Sequence, residues 1–171
     1  FYKVILECDP ELFERIKHHV NSGRWQVVGG WWIQPDCNMP TAESFERQAK
    51  LSSRFLQEHL NTHVSVGYNV DSFGHAATLP DFYTAAGIDS YVMMRPQEHE
   101  KKLPSNLFTW ESPSGKRLTT FRISNSYCCT GSTRKMIENI DHSIDAANKE
   151  LGHTMCFIGT GDHGGGPVRR E

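Results

Sequence analysis

The amino-acid sequence predicts an α/β fold in which a mainly parallel sheet is joined by helical crossovers, as one domain over residues 1–171. Three observations point there. Short runs rich in β-branched and aromatic residues alternate with stretches whose apolar residues recur at helical spacing. Gly, Pro, Asn and Asp residues separate the two kinds of segment, and no internal repeat, linker or low-complexity stretch interrupts them. At 171 residues the chain can bury one core, yet it is short of the roughly 250 residues of a complete (β/α) barrel.

The elements follow in order. Asp9-Pro10-Glu11 starts a helix, because aspartate caps it, proline suits its first turn, and Leu12, Phe13, Ile16 and Val20 make one apolar stripe before Gly23. Trp25 to Trp32 reads as a strand, followed by the polar turn Gln34-Pro35-Asp36-Cys37-Asn38. Thr41 caps a long helix to Leu60 with Phe45, Gln48, Ala49, Phe55 and Leu56 on its inner face. Val64 to Tyr68 is the next strand, Thr78 to Ala86 a short helix stopped by Gly87, and Ser90 to Met94 a strand ending at Arg95-Pro96.

Residues 97–106 form a polar loop. Leu107 to Glu111 and Arg117 to Ile123 pair as a hairpin through Ser112-Pro113-Ser114-Gly115. Ser132 to Leu151 is a long helix with Met136, Ile137, Ile140, Ile144 and Ala147 on its apolar side, and Met155 to Gly159 is the last strand.

Composition narrows the function. With 18 basic and 20 acidic residues the net charge is -2, which suggests neither a nucleic-acid footprint nor a patch for anionic membranes. No apolar run approaches the roughly 20 residues of a membrane-spanning helix. Five cysteines (Cys8, Cys37, Cys128, Cys129 and Cys156) without a C-x-x-C pair favour a reduced, cytoplasmic setting, with Cys156 expected as a buried structural thiol. Phe1 is not an initiator methionine, and Arg169-Arg170-Glu171 ends the chain straight after a glycine-rich loop, so both ends look cut.

Ligands of such folds bind where the strand-to-helix loops converge, at the carboxyl ends of the strands. Following each expected strand there stand Trp31, Trp32 and Asp36; Asp71, Phe73 and His75; Arg95; Tyr127; and Asp162 with His163. Aromatic faces with carboxylates and an arginine suit sugar chemistry, and Asp71 with Asp162 is the carboxylate pair that glycoside hydrolysis needs. Plainer roles compete for every one of these. Asp71 to His75 also fits an Asx turn, the tryptophans fit core packing, Arg95 fits a surface ion pair, and Tyr127 could anchor its loop. Gly159-Thr160-Gly161-Asp162-His163-Gly164 matches G-x-G-x-x-G formally, but no helix can start into Gly165-Gly166-Pro167.

These residues together resemble a known family. Gly23-Arg24-Trp25, Gly29-Gly30-Trp31 with Pro35-Asp36, Glu43-Ser44 with Arg47-Gln48, Asp71-Ser72-Phe73-Gly74-His75 and Gly161-Asp162-His163-Gly164-Gly165-Gly166-Pro167 resemble, in order, the α-mannosidases of glycoside hydrolase family 38. The resemblance implies a retaining, metal-dependent α-mannosidase acting on a mannose-containing glycan or a small mannoside. It implies a (β/α) barrel-like catalytic domain, of which this chain is a part incomplete at both ends. The resemblance implies Asp71 as nucleophile and zinc ligand, Asp162 as the acid/base, and Phe73, Arg95 and Tyr127 as substrate contacts; Trp31, Asp36 and His163 join them as candidate substrate-binding residues.

The chain departs from the family in lacking the His-x-Asp segment of the opening strand and a later histidine ligand. Asp71 alone cannot build a zinc site, so the expectation is a fragment with little metal affinity and no activity of its own, in a full-length protein that could form a homo-oligomer. Two other readings stay open: a sugar-binding or scaffold domain without catalysis, and a metal-dependent deacetylase-like enzyme with His75 and His163 as ligands.

Overall fold

A computed structural model of the chain describes residues 1–128, 133–147 and 152–159. Helices α1 (Tyr2–Cys8) and α2 (Pro10–Asn21) come first, broken only at Asp9, whose carboxylate accepts from Leu12 N at 2.9 Å and caps α2. The stretch before Asp9 carries no helical start signal, and α1 buries no residue, so nothing in its pattern announced it. Thr41 Oγ1 caps α3 (Ala42–Leu60) through Ser44 N at 3.3 Å, and α3 turns Phe45, Ser52, Leu56 and Leu60 inward.

The sheet is made of β1 (Val66–Asn69), β2 (Ser90–Met93), β3 (Leu107–Glu111) and β4 (Arg117–Arg122), in the order β1-β2-β4-β3. β1, β2 and β4 run parallel, and β3 pairs antiparallel with β4 as the outer arm of the expected hairpin. Helix α4 (Leu79–Ala85) makes the one helical crossover inside this sheet, between β1 and β2; α5 (Thr133–Asp145) follows β4. Among the described residues the sheet is open and mixed rather than a closed barrel.

Alternation along the strands splits the core in two. Tyr91, Met93 and Leu118 face the helices, packing with Phe13, Trp31, Phe45, Leu56, Leu60, Leu79 and Tyr83. Val92, Met94, Phe121 and Ile123 face the other way, with Tyr68, Tyr127 and Phe157 against them. Gly67 in β1 sits against the Tyr83 ring, where a Cβ would collide with it.

Three expectations are corrected. Residues 25–32 are not a strand: Gly29 and Gly30 take φ of +107° and +87°, which extended pairing excludes, and one backbone bond from Gly29 N to Val66 O (2.9 Å) is their tie to β1. The expected last strand, 155–159, forms no strand either; Met155 and Ile158 are exposed and Cys156 is half-buried, while Cys37 is the buried thiol. Helix α5 is turned over, with Asn139 and Ser143 buried and Ile137, Ile140 and Ile144 exposed. The Asn139 amide donates to Phe157 O at 3.1 Å, and His142 Nε2 meets Ser124 O at 3.3 Å, so this face docks through polar bonds. No helix among the described residues is long and apolar enough to cross a membrane.

Candidate active site

The register aligns Asn69, Met93 and Arg122 across the three parallel strands, so the segments that follow leave the sheet at one edge. Asp71, Arg95 and Tyr127 lie on those segments. Asp71 is brought against Arg95, with Nε 3.3 Å from Oδ1, and the side chains are 48% and 31% exposed, which leaves the carboxylate open to a ligand. The Arg95 guanidinium also covers Phe73, its Cζ 4.9 Å from the ring centroid, although that ring stays largely exposed. Tyr127 is half-buried against the Val70, Val92 and Phe121 cluster, on the sheet face opposite α2, α3 and α4.

The loop carrying Asp71 is held from below. Ser72 Oγ accepts from Cys37 N at 2.9 Å and donates to Gly74 O at 3.0 Å, while Cys37 and His75 pair as an isolated parallel bridge. Asn69, fully buried, donates to Pro35 O (2.7 Å) and Cys37 Sγ (2.9 Å) and accepts from Gln34 Nε2 (2.9 Å). Burial pushes the Cys37 thiol and, much more, the Tyr91 hydroxyl above their ordinary values, so both stay protonated and act as hydrogen-bonding groups rather than nucleophiles. Neither Asn69 nor Tyr91 stood out in the sequence; a polar residue at a buried strand end was the signal for Asn69.

His75 is locked as well. Its Nε2 lies 2.8 Å from Arg95 O and its Nδ1 3.2 Å from Tyr91 Oη. Burial lowers its pKa, against the opposing pull of the bond to Arg95 O and of the Asp36 charge. Both ring nitrogens of His75 thus face protein groups, Arg95 O and Tyr91 Oη.

Other expected residues fall elsewhere. Trp31 is packed in the core: its indole donates to Tyr83 Oη at 2.9 Å and its ring packs on Phe45 and Tyr83, with 8% of the residue exposed. Asp36 is exposed and Oδ1 closes an Asx turn, accepting from Asn38 N (2.8 Å) and Met39 N (3.1 Å). Asp162 and His163 lie outside the described residues. Among the described residues no three His, Cys, Asp or Glu side chains converge to hold a metal, so Asp71 has no partner ligands there and a zinc site is not built by them.

The hollows of the surface differ in what lines them. A cavity of about 380 Å³ opens beside Phe73 and His75, walled by Lys101, Leu103, Phe108 and Trp110. A larger groove of about 640 Å³ lies between α3 and α4, along Glu46, Lys50, Arg54 and Phe82, where no strand end delivers a reactive group. The cavity at the strand ends is lined by Phe73, Gly74 and His75 of the loop that carries Asp71.

Similarities to known proteins fit this geometry. The family model described as "Glycosyl hydrolases family 38 N-terminal domain" matches residues 1–171. Alpha-mannosidase G of Dictyostelium discoideum is 31% identical over 171 residues, covering 98% of this chain and 15% of that protein. Alpha-mannosidase 2C1 of Homo sapiens is 28% identical over 162 residues, covering 94% of this chain and 15% of that protein. The chain thus spans about 15% of the length of these curated relatives. In fold it is similar to the crystal structure of an alpha-mannosidase from Enterococcus faecalis V583, with TM-score 0.73 and 19% identity over 90% of this chain and 18% of the other. A 4-alpha-glucanotransferase from Thermococcus litoralis shares the fold at TM-score 0.60 and 15% identity, over 71% of this chain and 19% of the other.

Proposed function

The chain belongs to the N-terminal domain family of glycosyl hydrolases family 38, and from that premise we propose that its full-length protein is a retaining α-mannosidase whose nucleophile is Asp71. The observation that carries the reading is the half-exposed Asp71 carboxylate, just past the end of β1, with Arg95 Nε at 3.3 Å and the open ring of Phe73 beside it. The substrate is a terminal α-mannoside, in a glycan or a small compound. The barrel-like completion of the sheet belongs to the full-length protein too.

In this reading an Asp71 oxygen attacks the anomeric carbon while the bond to the leaving oxygen breaks, and Asp162 gives that oxygen its proton. A mannosyl ester on Asp71 results. Asp162, now a carboxylate, takes a proton from water, the water oxygen bonds the anomeric carbon, and Asp71 leaves as a carboxylate with net retention. Arg95 lies 3.3 Å from the carboxylate that attacks, and Phe73 offers an apolar face to the ring carbons. Zinc dependence belongs to the full-length protein in this reading; among the described residues no three ligating side chains converge to form that site. The thiols of Cys8, Cys37, Cys128 and Cys156 are all free, which supports a reducing, cytoplasmic setting.

The test is hydrolysis of an aryl α-mannoside by the full-length protein. Asp71→Ala is expected to lower kcat on the order of 10⁴-fold or more, as loss of a nucleophile does. Normal turnover by that variant would remove Asp71 from the role.

A further inference from the structure

Resting on the assignment of Asp71 as nucleophile, we propose that His75 is a positioning residue that holds Arg95, and through Arg95 the Asp71 carboxylate, in the orientation for attack. A carbonyl oxygen can only accept, so the 2.8 Å contact with Arg95 O puts the imidazole proton on Nε2. Nδ1 then carries the lone pair, and the Tyr91 hydroxyl at 3.2 Å donates to it. One tautomer satisfies both neighbours.

The ring is also fixed in direction. Its edge contacts Trp110 of β3 and Tyr91 of β2, with centroids 5.9 and 5.8 Å away. Tyr91 is itself fully buried on β2, a strand paired on both sides, so the clamp is anchored in the interior of the sheet. His75 therefore ties the loop after β1 to the segment after β2 at Arg95, whose side chain meets both Asp71 and Phe73.

Such a clamp is needed because the Asp71–Arg95 pair is itself too exposed to order the carboxylate. Ion pairs in water contribute little and hold their geometry loosely. Attack at a carbon requires placement to a fraction of an ångström, and a misplacement of about 1 Å can cost on the order of 10²-fold in rate. The backbone of Arg95, not its side chain, is what His75 grips, so the guanidinium stays free to face carboxylate and substrate.

A double-mutant cycle in the full-length protein tests the inference, with kcat on an aryl α-mannoside expressed per folded molecule. His75→Ala is expected to lower kcat roughly 10- to 100-fold in the wild-type background and to add almost nothing in an Arg95→Ala background. His75→Gln, which can keep a donor toward Arg95 O, is expected to recover most of the loss. Equal losses in both backgrounds would show that His75 does not act through Arg95 and would overturn the inference. Crystal structures of the two His75 variants give an arm independent of activity: the Arg95–Asp71 contact should be lost in His75→Ala and kept in His75→Gln. An unchanged contact in His75→Ala would overturn the clamp even if the protein hydrolyses mannosides. A wild-type protein without mannosidase activity would sink the functional reading while leaving the structural arm to decide the clamp.

Discussion

Buried polar side chains, rather than the exposed carboxylate, carry most of the information at the strand ends. Asn69 and Cys37 meet at 2.9 Å beneath the Asp71 loop, and every polar group of Asn69 has a partner, which is the condition for a polar side chain to stay buried. His75 belongs to the same layer, and its titration is testable. Burial holds it below its usual value of about 6.5, so the folded chain keeps it neutral where the unfolded chain binds a proton. The groups around it are Arg95 O, Tyr91 Oη and the Asp36 carboxylate, the last of which favours the charged form and narrows the gap. A lowered folded pKa means stability present in full above about 6.5 and lost as the pH falls from there to the lowered folded value. Urea midpoints of the chain are expected to drop between pH 7.5 and 5.5, and to drop less for His75→Gln, whose side chain does not titrate. Equal drops would assign the window to other groups. At this scale the meeting of Asp71, Phe73 and Arg95 was legible, since each follows a strand; the burial of Trp31 was not, because an indole beside a turn looks the same whether Tyr83 or a sugar lies against it.

Capping and turn chemistry decide which elements could be read. Asp9, Thr41 and the Ser112 to Gly115 turn each act locally, through bonds within a few residues, and the elements they bound are found where they signal them. The 25–32 segment failed for an equally local reason, two adjacent glycines in left-handed backbone inside an alternating pattern. Helix α5 failed for a non-local one: its apolar stripe was real, but Asn139 and His142 found bonding partners in the 124–125 and 156–157 segments that no helical periodicity encodes. Helix α4 shows how such bonds link elements. Asp81 in its first turn accepts from Ser112 Oγ and Ser114 Oγ, both at 2.6 Å, and these bonds, Ser112 first, lower its pKa. A depressed carboxylate stabilises above its unfolded value near 3.9 and loses that contribution as pH falls through the folded one. Asp81→Ala is expected to cost roughly 1 kcal/mol at pH 7, kept small by solvent screening, with the difference shrinking toward pH 3 in thermal or urea melts. A loss independent of pH would point to packing instead of the ionised carboxylate.

Across the whole molecule, strand order is the feature the chain hides best. Parallel neighbours β2 and β4 are separated in sequence by β3, which goes to the outer edge as a hairpin arm, so alternation of strands and helices predicted helical crossovers where only β1 to β2 has one. Long-range pairing is decided by which faces can be covered, and several here are not. Ile137, Ile140 and Ile144 are 52%, 38% and 58% exposed and stand three and four residues apart, so they line one side of α5 as a continuous apolar strip. Val28 and Ile33 add a second exposed group near α1. Contiguous apolar surface of this kind binds hydrophobic dyes even in a folded protein, and the response should follow the strip. Anilinonaphthalene sulfonate is expected to fluoresce with the native chain at pH 7, and the double variant Ile140→Ser, Ile144→Ser to bind clearly less dye, with the remainder held by the surface near α1. Because both side chains are exposed, each substitution should move stability by no more than about 0.5 kcal/mol, so a thermal midpoint measured alongside separates loss of the strip from loss of the fold. Undiminished dye binding with an unchanged midpoint would mean that the α5 strip is covered in solution, and that the polar face carrying Asn139 is not the one that docks.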